Sequence, residues 1–217
     1  KGIYAASMSI FNKDLSLDID STIKHSEKLI GDGLLHGTIV FGSTGCAQLI
    51  SSNEKKKLID KLNNNKLKDH FMIGTGSNSL NESVELMQHS LKNGIDRFLI
   101  MPPAYYKYDD GGAYSFYSNL IQKVPESKII LYNFEKLSGY KFSIQIIEKL
   151  VKDFSKQIVG VKDSAYNLYE TLKIPNFLIF PGSELKLLKG LELGNSGIIS
   201  AICNVTAPLA RKVYDDF

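Results

Sequence analysis

Lys162 closes the run Ile158-Val159-Gly160-Val161-Lys162, a mostly β-branched stretch with an amine at its C-terminal end. Side chains alternate between the two faces of a strand, so the spacing predicts that Lys162 shares a face with Ile158 and Gly160, the small Gly160 leaving room beneath it. Apolar walls disfavour the ammonium form, and a free amine attacks a carbonyl carbon to give an imine. An ion pair with Asp163 is the alternative, although alternation sends that carboxylate to the other face. Tyr132 closes the apolar run before it and shares parity with Ile130. Its phenol can relay protons beside an imine; a core tyrosine with a satisfied hydroxyl fits equally well. Gly42-Ser43-Thr44-Gly45 reads as a turn ahead of a helix, whose N–H groups and hydroxyls suit a small carboxylate or phosphate.

Other chemistries find less support. His25 and His89 fall within helical stretches, and His36 and His70 stand just before strands, so a histidine-based metal hydrolase is disfavoured. Cys46 and Cys203 lack ligand-spaced partners and are too few for a secreted disulfide framework. Gly74-Thr75-Gly76 lacks the third glycine of a dinucleotide fingerprint and reads as a tight strand end. Lys55, Lys56 and Lys57, followed by Lys61, Lys66 and Lys68, read as a solvated helix face, and no nucleic-acid-binding signature accompanies them.

The elements that must position these residues are short strands at roughly 3–9, 38–42, 71–75, 97–101, 128–132, 158–162, 177–181 and 197–202, each followed by a helical stretch. Helix starts are signalled at Asp20-Ser21, Ser51-Ser52 with Glu54, Asn81 and Ser143. Strand–helix alternation implies a parallel sheet, and eight units in one unbroken run favour an α/β fold of the (β/α)₈ barrel type over a doubly wound open sheet. Barrel chemistry belongs at the C-terminal ends of the strands. That filter retains Gly42-Ser43-Thr44-Gly45, Tyr105-Tyr106, Tyr132-Asn133, Lys162-Asp163, Gly182-Ser183 and Asn204.

The 217 residues are 43% hydrophobic and 23% charged with a formal charge of +3, a globular composition that needs no disulfide or metal staple. No apolar run approaches the roughly 20 residues of a membrane span and no signal segment opens the chain, so a cytoplasmic protein is expected. One catalytic domain is expected over 1–217.

In this order, the motifs resemble those of the pyruvate-dependent lyases, which include dihydrodipicolinate synthase, N-acetylneuraminate lyase and 2-keto-3-deoxy sugar-acid aldolases. They are Gly42-Ser43-Thr44-Gly45 with Leu49 and Glu54, Gly74-Thr75-Gly76, Pro102-Pro103 with Tyr105-Tyr106, Tyr132-Asn133 with Ser138-Gly139, Gly160-Val161-Lys162-Asp163-Ser164, and Gly182-Ser183 with Gly197-Ile198-Ile199-Ser200 and Asn204. The resemblance implies a barrel in which Lys162 forms the imine with pyruvate or another 2-oxo acid. Tyr132 would be the proton-transfer phenol, Ser43 a relay hydroxyl, and Tyr106 the outer member of the relay, lent by a neighbouring subunit. The N–H groups of Ser43 and Thr44 would hold the pyruvate carboxylate, with Gly182 and Leu137 also in the substrate site. No metal or diffusible cofactor is implied; the partners are a 2-oxo acid, an aldehyde and other copies of the chain, usually in a tetramer. The family carries a C-terminal helical domain, and the resemblance leads to the expectation that a chain ending inside helix eight around Phe217 lacks it.

Two departures bear on substrate. Leu137 stands where the synthases typically carry an arginine that clamps the carboxylate of aspartate semialdehyde, and Cys46 stands where glutamate is common. Leucine cannot make that bidentate contact, although the neighbouring Lys136 offers a flexible point charge. An aldolase or lyase acting on a 4-hydroxy-2-oxo acid, with an aldehyde other than aspartate semialdehyde, is therefore favoured. The synthase, a non-catalytic 2-oxo-acid sensor, and a phosphate-binding barrel using Gly182 and Gly197 remain as alternatives.

Overall fold

A computed structural model describes residues 1–31 and 34–217. Among the described residues eight strands lie side by side: β1 (Gly2–Ala6), β2 (Gly37–Val40), β3 (Phe71–Gly74), β4 (Arg97–Ile100), β5 (Lys128–Asn133), β6 (Ile158–Asp163), β7 (Leu178–Pro181) and β8 (Gly197–Ser200). All pair in parallel, in the order β7-β6-β5-β4-β3-β2-β1-β8. The two ends meet at Ser196, whose N–H donates to the Ile179 carbonyl (2.8 Å) while its hydroxyl accepts from the Ile179 N–H (3.3 Å). The sheet is thus nearly closed into a (β/α)₈ barrel, as the alternation of elements predicts.

Ile39, Met72, Leu99, Ile130, Tyr132, Phe180 and Ile199 fill the barrel interior. The outer faces of the strands pack under α1 (Ile19–Ile30), α2 (Ser52–Leu62), α3 (Leu80–Lys92), α4 (Asp110–Lys123), α6 (Ile144–Asp153), α7 (Leu187–Glu192) and α8 (Cys203–Asp216), while the short α5 (Glu135–Ser138) follows directly on β5 and adds no side chain to these outer clusters. Ser51 forms a capping box with Glu54, and Ser143 caps α6, both as the sequence signals. Two starts differ: Asp18 rather than Asp20-Ser21 caps α1, and Ser79 rather than Asn81 caps α3. In each case an earlier side-chain oxygen accepts the N–H of the third residue after it, and the helix gains part of a turn.

The crossover from β6 to β7 contains no α-helix, against the expected repeat. Tyr166 and Asn176 adopt positive φ (59° and 58°), and Pro175 lies between these positions near the end of the segment. The Asp163 carboxylate also accepts the N–H groups of Tyr166, Leu168 and Tyr169, holding them away from helical partners. Leu168, Tyr169 and Leu172 still bury completely or nearly so, which covers the outer face of the sheet without a helix.

Lys55 departs from the solvated lysine face. It is buried on α2, and desolvation lowers its amine pKa against an opposing pull from Glu82. Lys56 and Lys61 do reach outward, pairing with Glu85 and Asp20. The histidines act as local staples: His36 Nδ1 accepts the Ile3 N–H (3.1 Å), His70 meets the His36 carbonyl, and His89 pairs with Asp60. Among the described residues no cluster of metal-ligating side chains forms, and no helix is long and apolar enough to cross a membrane.

Candidate functional site

Lys162 sits at the C-terminal end of β6 with 3% of its surface exposed. Its route into the barrel differs from simple alternation. The ladder steps from Ile129↔Ile158 to Ile130↔Gly160, leaving Val159 as a bulge residue. Ile158 consequently joins the outer core and Val159 the interior one, so Lys162 shares its face with Gly160 but not with Ile158. A Cβ on Gly160 would lie 2.5 Å from the Leu178 carbonyl and 2.8 Å from Ile130 Cδ1, so only glycine fits below the lysine.

The same register sets Tyr132 beside Lys162 on neighbouring strands. The lysine nitrogen lies 4.3 Å from the centroid of the Tyr132 ring, and the Tyr132 hydroxyl is 2.9 Å from Ser43 Oγ. No carboxylate pairs with Lys162 among the described residues. The ion-pair alternative therefore fails, because Asp163 points outward, is fully buried, and accepts Asn133 Nδ2 (2.8 Å) with the three N–H groups of the crossover.

Ser43 and Thr44 lie on the turn after β2, and their N–H groups have no hydrogen-bond partner among the described residues. The turn leads into a single 3₁₀ turn, Ala47–Leu49, and only then to α2, so its donors belong to the loop and not to a helix end as the sequence suggested. Gly74 and Gly76 shape this region by close approach: a Cβ on Gly74 would meet the Phe41 carbonyl at 2.1 Å, and one on Gly76 the Met101 carbonyl at 2.8 Å. The tight-strand-end reading of this pair thus has a steric basis, and Phe41, with φ of 61°, turns the chain into the Ser43 loop.

Two cavities flank the Ser43–Tyr132 hydrogen bond. The one holding Lys162 is about 280 Å³ and is lined by Ser43, Thr44, Tyr132, Phe134, Lys136, Lys162, Ser164, Tyr166, Gly182 and Ala201. Gly182 permits Ser164 to lie against its backbone, since a Cβ there would sit 2.2 Å from Ser164 Oγ. The other is about 530 Å³, and its lining includes Leu137, Gln48, Asn78, Met101 and Tyr105. Tyr166, Gln48 and Asn78 went unnoticed in the sequence, where nothing but their places just beyond strand ends marked them.

Of the expected site residues, Lys162, Tyr132, Ser43, Thr44 and Gly182 come together, while Leu137 borders the adjoining cavity. Tyr106 does not join them. It is 77% exposed, packs edge-on against Tyr105 with ring centroids 5.0 Å apart, and lines neither cavity. Asn204 is a structural bolt: its amide donates to the carbonyls of Ala6 (2.8 Å) and Ala201 (2.7 Å), and its oxygen meets His25 Nε2. Gly197 starts β8, opposite Gly2 at the N-terminal rim, so it cannot share a phosphate site with Gly182 at the other end.

Comparison with known proteins agrees with the barrel fold. An N-acetylneuraminate lyase of Clostridium perfringens is 30% identical over 223 residues, 99% of this chain and 75% of that protein. A 4-hydroxy-tetrahydrodipicolinate synthase of Hydrogenobaculum is 33% identical over 187 residues, 82% of this chain and 64% of that protein. The crystal structure of CdNal from Clostridium difficile in complex with mannosamine superposes with a TM-score of 0.90 at 29% identity, covering 99% of this chain and 75% of that one. The model of the dihydrodipicolinate synthetase family matches residues 1–217 throughout. This chain, with its barrel and buried lysine, is a lyase-family protein and belongs to the dihydrodipicolinate synthetase family.

Proposed function

We propose that the chain is a lysine-imine aldolase that makes or cleaves the C3–C4 bond of a 4-hydroxy-2-oxo acid, using pyruvate and an aldehyde. The observation that carries this reading is the Lys162–Tyr132–Ser43 constellation: an enclosed amine without an acidic partner, stacked on a phenol that is itself hydrogen-bonded to a hydroxyl.

In this mechanism the Lys162 amine adds to the keto carbon of pyruvate. The carbinolamine loses its hydroxyl as water, with the proton delivered through Tyr132 and Ser43, leaving a protonated imine. Removal of a C3 proton sends the electron pair into the imine and gives an enamine. The enamine carbon bonds to the aldehyde carbon, the aldehyde oxygen takes a proton, and water hydrolyses the new imine to release the product and free Lys162. Cleavage runs the same steps backwards. The unpaired N–H groups of Ser43 and Thr44 hold the pyruvate carboxylate, with Gly182 also lining the substrate cavity. Tyr106 completes the proton relay from a neighbouring subunit of a homo-oligomer, which suits its exposed place beyond β4. Leu137 offers no guanidinium to an acceptor, which favours an aldehyde other than aspartate semialdehyde over the synthase reaction.

The test is borohydride reduction in the presence of pyruvate, followed by mass analysis of the intact and digested protein. The expected result is an adduct about 72 Da heavier, localised to Lys162 and lost in Lys162→Met. A protein that binds pyruvate without forming this adduct is a sensor, and the aldolase reading falls.

A further inference from the structure

Tyr166 holds a backbone conformation that a tyrosine rarely adopts. Its φ is 59°, in the left-handed region where a bulky side chain crowds its own backbone and glycine does not. The conformation is imposed from outside. Asp163 Oδ1 accepts the Tyr166 N–H (2.9 Å), Asp163 Oδ2 accepts those of Leu168 and Tyr169, and Asn167 is tied to Asn133 (2.8 Å) and to the Phe142 carbonyl (3.0 Å). A strained residue fixed this firmly beside a reactive lysine points to a use for its side chain.

That side chain stands at a boundary. The Lys162 cavity and an outer cavity of about 280 Å³ beside α5 share four lining residues, Phe134, Lys136, Ser164 and Tyr166. Ser164 is small and Lys136 is exposed and flexible, so the two rings set the width of the passage. The Tyr166 ring is braced edge-on against the buried Tyr169 ring (centroids 6.3 Å apart), and the Phe134 ring lies 5.8 Å from that of Tyr132. Toward the larger cavity the Lys162 site ends at the Ser43–Tyr132 hydrogen bond, which the proton relay needs intact. At roughly 30 Å³ per heavy atom, the share of a water molecule in the liquid, the inner cavity of about 280 Å³ holds on the order of nine atoms, and pyruvate bound as an imine takes about five of them. Building on the aldolase reading, we propose that Tyr166 and Phe134 form an aromatic collar that limits the length of the acceptor, so that the preferred second substrate is a short aldehyde held within the inner cavity. A longer chain has to pass between the two rings, and the anchored loop leaves Tyr166 little room to yield.

The experiment measures kcat/KM for condensation of pyruvate with glycolaldehyde, glyceraldehyde and arabinose, using the parent protein, Tyr166→Gly and Tyr166→Phe. Borohydride trapping of the parent with pyruvate alone is run in parallel. The decisive quantity is the ratio of arabinose to glycolaldehyde use and its change on substitution, in which the fraction of open-chain aldehyde cancels. Tyr166→Gly is expected to raise that ratio by about ten-fold or more, the range that a misfit of one or two groups costs in a packed site. It is also expected to unfold at the same temperature as the parent or higher, because glycine takes this φ freely. Tyr166→Asn, whose short side chain also tolerates the left-handed region, reads the same ratio if the glycine variant does not fold. Tyr166→Phe keeps the ring and is expected to keep the parent ratio. A parent that uses arabinose as readily as glycolaldehyde, an equal change for all three aldehydes in Tyr166→Gly, or a phenylalanine variant that behaves like the glycine one overturns the proposal. If trapping succeeds while the ratio does not move, only the collar falls; if trapping fails in the parent, the aldolase reading falls first and takes this one with it.

Discussion

Lys162 and Tyr132 are register partners across β6 and β5, and the lysine nitrogen rests 4.3 Å from the centre of the tyrosine ring. The contact gives the amine an aromatic wall on one side, and the hydroxyl at the ring's far end is handed to Ser43. One side chain thus does two separable jobs, enclosure and proton transfer.

Tyr132→Phe separates them. The ring and its packing stay, while the hydroxyl 2.9 Å from Ser43 Oγ goes. Turnover is expected to fall by about 10²- to 10⁴-fold with little change in melting temperature, and trapping with pyruvate should slow yet still occur at Lys162. Rapid-quench kinetics against thermal unfolding would show this; an unchanged rate would remove Tyr132 from the proton path.

Lys162→Met should leave the fold as stable as the parent or more so. Lys162 is 3% exposed and has no acidic partner among the described residues, so its amine gives up hydration with little return apart from the Tyr132 ring. A flexible apolar side chain of similar length removes that cost, and a gain of about 1 kcal/mol in urea unfolding is expected. A clear loss of stability would make the lysine a structural residue.

Asp163→Asn is expected to cost about 2–4 kcal/mol in the same measurement. The carboxylate accepts from the Asn133 side chain and from three backbone N–H groups, and an amide would turn two hydrogens toward donors it can no longer satisfy. Amide exchange at Tyr166, Leu168 and Tyr169 should rise together, since one group anchors all three.

Thiol labelling should count one reactive cysteine in the native protein and two after denaturation. Cys46 is exposed, whereas Cys203 is fully buried, with burial pushing its thiol pKa well up and the Glu184 carboxylate adding to the shift. Peptide mapping that placed the native label on Cys203 would contradict the packing around α8.

Much of this architecture was legible in the chain. Eight apolar runs at barrel spacing specify eight parallel strands, because each run buries both its faces and each intervening segment is long enough to cross over. Lys162, Tyr132 and the Ser43 turn stood out because a lysine, a phenol and a polar turn at strand ends are costly or idle unless used together. Local rules stopped at places where a distant group decides. No periodicity announces that Val159 bulges, yet the pairing of Ile130 with Gly160 moves Ile158 to the other face. Nothing in the composition of 164–177 forbids a helix as firmly as Asp163 does by capturing three of its N–H groups.

The sequence by itself determined which residues can do chemistry and at which end of the barrel they lie, since strand order and side-chain parity are properties of the chain. Only the tertiary structure decided which of them meet. It joined Tyr132 to both Lys162 and Ser43, left Tyr106 on the surface, turned Asn204 into a bolt between chain segments, and opened the cavity around Lys162 to Lys136. Those outcomes depend on register, on closure at Ser196, and on glycines that admit a neighbouring backbone, and none of these is a property of a residue and its neighbours in the chain.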